Sequence, residues 1–82
     1  MKTDIKNVLS ALVGAEYAAP RLSRLARQHM EAIWDDLSAR EISELDAWLK
    51  DQQVAAEGRA HIEWIYICAA FTSMQQARGS ET

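Results

Sequence analysis

One proline, three glycines and one cysteine are all that this 82-residue chain holds of those three residue types. Each scarcity excludes something. A β-rich domain of this length needs far more turn residues than Pro20, Gly14, Gly58 and Gly79 can supply. Cys68 is alone, so no intramolecular disulfide can staple the fold. With only His29 and His61 beside it, no Cys/His cluster for a structural zinc exists. The chain also lacks a run of about 18 apolar residues, the length a membrane-spanning helix requires. The amino-terminal MKTDIKNVLSALVGAEY, with Asp4 and Lys6 among its apolar residues, lacks the layout of a secretory signal. These absences predict a cytoplasmic protein with neither cofactor nor membrane partner.

What is present fits one globular domain over residues 1–82. Hydrophobic residues make up 49% and charged residues 26%, a balance that can bury a core. A chain this short hides only about 60–65% of its unfolded surface, so helix packing or self-assembly must support it.

Apolar residues recur at helical spacing nearly throughout, and the predicted fold is all-α: a four-helix, bundle-like domain. Helix one is expected over about 3–18, capped by Thr3, with Ile5, Val8, Leu9, Leu12, Val13 and Tyr17 along its buried face. Gly14 weakens but does not end it, and Pro20 stops it. Helix two, about 20–37, opens on Pro20 and carries a stripe of Leu22, Leu25, Ala26, His29, Met30, Ile33, Trp34 and Leu37.

Next, Ser38 and Glu41 stand three apart, the spacing of a capping box, and start helix three over about 39–57. Its end admits two readings: a stop near Glu57 with Gly58 in the left-handed conformation, or a break near Asp51. The first gives helices of matched length with short connections. Helix four follows over about 59–77, ended by Gly79, and 78–82 form a loose tail.

The densest apolar stretch, HIEWIYICAAF at 61–71, belongs to that fourth helix. Its polar-tipped or small seam reads Glu63, Tyr66, Ala70, Ser73 and Ala77, with Ile62, Ile65, Cys68, Ala69 and Thr72 expected inward on one side. Trp64, Ile67, Phe71 and Met74 occupy the other side. So wide an apolar arc needs more than one neighbour. Three tryptophans in so thin a core point to a homo-oligomer, with Trp64, Ile67, Phe71 and Met74 at its interface.

Catalytic and metal chemistry find no footing. Glu57 and His61 are four apart and His29 and Glu31 two apart, neither the Glu-x-x-His spacing of di-iron bundles. Cys68 lies in the most apolar turn, where burial leaves a thiol inert. The glycines stand too far apart for a phosphate loop. No enzyme is expected.

LSAREISEL, at 37–45, has the look of a first helix-turn-helix segment, but DAWLKDQQ follows with no turn residue. The surface there is acidic, so direct DNA binding is not expected.

Charge is the remaining signal. The net charge is −3, unevenly spread. Arg21, Arg24 and Arg27 lie among residues 20–30 with no acid. Residues 31–51 hold Glu31, Asp35, Asp36, Glu41, Glu44, Asp46 and Asp51 against Arg40 and Lys50.

The acidic stretch, through Asp35, Asp36, Glu41 and Glu44, suits a basic protein partner. The expected function is therefore an acidic interaction module, an inhibitor or adaptor. Small acidic inhibitors carried by phages and plasmids share this size and charge. The alternative is a small anionic ligand such as a nucleotide, held by Arg21, Arg24 and Arg27 with Gln28.

Overall fold

A computed structural model describes residues 3–80, with side chains placed for 5–77. Four helices follow in order: α1 (Thr3–Val13), α2 (Ala19–Trp34), α3 (Ala39–Ala55) and α4 (Arg59–Ser80). No strand occurs among the described residues. The all-α expectation holds, with α4 at the centre. It packs against α1, α2 and α3, while the backbone of α3 approaches only α4.

Helix α1 ends five residues earlier than its periodicity suggests. Residues 14–16 form a turn, and Glu16 adopts the left-handed conformation at φ +60°. That conformation costs a non-glycine residue roughly 1–2 kcal/mol, and here it reverses the chain so that α2 folds back onto α1. Tyr17 still packs against the core although it has left the helix. The expected Thr3 cap lies outside the described side chains.

Ala18, in extended conformation, precedes α2, and Pro20 sits within its first two positions, where a missing N–H is harmless. Leu22, Ala26, Met30 and Trp34 form its buried row, each four residues from the last. His29, expected half-buried beside that row, is exposed. Neighbouring helices meet α2 along the four-residue row and leave its edge in water.

Helix α2 stops at Trp34 rather than 37. The Asp36 and Leu37 amides donate to the Ile33 and Trp34 carbonyls at 2.9 and 3.2 Å, and the tight turn drops Leu37 into the core.

The capping box explains that early stop, because Ser38 must be extended (ψ 165°) to receive it. The Glu41 amide donates to Ser38 Oγ and the Ser38 amide donates to Glu41 Oε1, both at 3.1 Å. The Ser38 amide bond holds the Glu41 carboxyl below its usual pKa. A depressed carboxylate pKa adds stability above the ordinary carboxylate range, and that stability is lost as pH falls through the lowered value.

Ser38→Ala is therefore expected to destabilise the protein by about 1 kcal/mol at neutral pH. In Glu41→Gln, the part of the acid-induced loss that comes from this residue should vanish. Urea midpoints at neutral and acid pH check both; an unchanged midpoint for Ser38→Ala would refute the cap.

Helix α3 continues through residue 51 to Ala55, and Gly58 at φ +61° makes the turn into α4. This matches the first reading of its end and removes the break near Asp51. Helix α4 then runs through Gly79 to Ser80, beyond the expected stop at 77. Residues 81 and 82 of the expected tail lie outside the described residues.

Three contacts join α3 to α4. The Trp48 and Trp64 rings meet edge to face at 5.5 Å. The His61 Nδ1–H donates to the Gln53 carbonyl at 2.7 Å, and the Cys68 thiol to the Leu49 carbonyl at 3.6 Å. All three lie on one flank of α4.

The facing of α4 differs from the seam expected of it. Glu63 and Ala70 are buried, sharing the Ile67 and Met74 face at spacings of four, three and four. Ile62 and Ile65, expected inside, are exposed. Trp64, Ile67, Phe71 and Met74, expected between subunits, are all buried by their own chain. Phe71 lies against Trp34, ring centroids 5.4 Å apart. With α3 on one flank and α1 and α2 on another, the uncovered arc of α4 is the one through Ile62, Ile65, Tyr66, Ala69, Thr72 and Ser73.

Candidate interaction surfaces

The acidic residues gather at one end of α3. Asp35 caps the carboxyl end of α2, Asp36 follows it, and Glu41 and Glu44 lie in the first two turns of α3. Asp35, Asp36 and Glu44 are exposed, and Glu41 is half-buried by its capping role. Arg40, within this stretch, pairs with Glu44 at 3.3 Å. An exposed pair of this kind contributes only about 0.3–0.5 kcal/mol.

Carboxylates at the amino end of α3 suit the helix dipole. Those at the carboxyl end of α2 oppose it, because the last carbonyls there are already partly negative. The last turn of α2 itself holds no basic residue.

The arginine group is less convergent than its spacing suggested. Arg21, Arg24, Arg27 and Gln28 are all exposed on α2. The Arg21 guanidinium lies over the Tyr17 ring at 5.1 Å, while Arg27 Nε pairs with Glu31 at 2.8 Å. Two of the three cations are thus turned to separate local partners, toward the α1–α2 turn and along α2.

At the far end of α3 lies a surface that the sequence reading missed. Among the described residues the exposed large apolar side chains are Val54 (83%), Ile62 (52%), Ile65 (39%) and Tyr66 (37%). Val54 stands in the last turn of α3, and the other three in the first two turns of α4. Val54 lies roughly opposite the buried Leu45 and Leu49 round α3, so it faces away from α4 and is separate from the exposed arc of α4. Apolar residues surround almost the whole of α4, so periodicity alone did not reveal which arc would face water. Helix α3, 17 residues and about 25 Å long, separates this apolar end from the acidic one.

Burial pushes the Cys68 thiol pKa up, and the Asp46 carboxylate adds to the effect, so the sulfur stays protonated. Among the described residues, no group of three or more His, Cys, Asp or Glu side chains could hold a metal ion, and no helix is long and apolar enough to cross a membrane. No protein-family model, curated protein or solved structure matches this chain.

Proposed function

We propose that this chain works by binding rather than catalysis, as a small acidic interaction module of the inhibitor or adaptor kind. Its acidic end, Asp35, Asp36 and Glu44, engages a basic surface on a protein partner. The observation that carries this reading is the placement of Asp35 and Asp36. They place two exposed carboxylates side by side where α2 ends and α3 begins, next to Glu44.

Carboxylates repel a phosphate backbone, so the fitting partner is a protein with exposed Lys and Arg. Proteins that bind nucleic acids present such surfaces, and occupying one would block it. That is the mode of action suited to an inhibitor carried by a phage or mobile element. A reducing cytoplasm suits the unpaired Cys68.

Capture from cell lysate tests the proposal with wild-type protein and an Asp35→Asn/Asp36→Asn/Glu44→Gln variant. A protein retained by the wild type at about 50 mM salt should elute by about 300 mM, as screening shortens the reach of exposed charges. The variant should retain at least about tenfold less, a difference of about 1.4 kcal/mol, with an unchanged circular dichroism spectrum. Equal retention by both proteins, or retention indifferent to salt, would overturn the reading.

A further inference from the structure

We draw no further inference here: the strongest candidate, the exposed arc of α4 through Ile62, Ile65 and Tyr66, is an unpartnered apolar face, and nothing in the structure shows what covers it.

Discussion

Trp64→Ala is expected to cost about 3–5 kcal/mol, enough to leave much of the chain unfolded at 25 °C. Small domains hold only about 5 kcal/mol or a little more in total. Trp64 is 6% exposed, and its ring stands edge to face with Trp48 at 5.5 Å. That contact matters more here than in a closed bundle, because the backbone of α3 approaches only α4. Loss of the indole leaves a cavity in the seam that holds α3.

The measurement is urea denaturation followed by circular dichroism, on Trp64→Ala, Trp48→Ala and the double variant. Residues in contact couple, so the double variant should lose less than the summed single losses. Such edge-to-face pairs contribute about 0.5–1.5 kcal/mol beyond their buried area. A loss below about 1 kcal/mol for Trp64→Ala would place the side chain outside the core.

Glu63→Leu is expected to act in the opposite direction, stabilising the protein by about 1–3 kcal/mol. Glu63 is 6% exposed, and its Oε2 is buried with no hydrogen-bond partner. Its ion-pair partner among the described residues is Arg59, whose Nε is 3.8 Å from Oε1 while its side chain is 60% exposed to water. So distant and solvated a partner does little to offset burial of a carboxylate. Leucine has similar bulk, favours helix, and joins Ile67, Ala70 and Met74 on the same buried face.

For a domain of this size, about 1 kcal/mol corresponds to about 4–8 °C in thermal midpoint. Thermal unfolding followed by circular dichroism reads this effect. A midpoint equal to or below that of the wild type would show that Glu63 is satisfied where it lies.

Local chemistry made much of this architecture legible. The Ser38–Glu41 box, Gly58 after α3 and the four-residue row from Leu22 to Trp34 each have a local cause: a side chain that caps, a backbone free to turn left-handed, a spacing that matches the helix. Helix count, order and three of the four starts follow from such signals, because a helix is stabilised by groups within one or two turns of each other.

What the sequence did not reveal was orientation. Where Glu16 turns the chain depends on how α2 returns to α1, and the residues of that turn carry no signal beyond Gly14. Whether Glu63 or Ile62 faces water depends on the angle at which α3 and α2 meet α4. In a helix apolar nearly all round, no residue pattern selects that angle. Net charge, the acidic stretch and the lone thiol belong to the sequence itself. That the acids and the exposed apolar residues stand at opposite ends of one helix was decided by packing alone, since the three elements around α4 determine which of its surfaces remains in water.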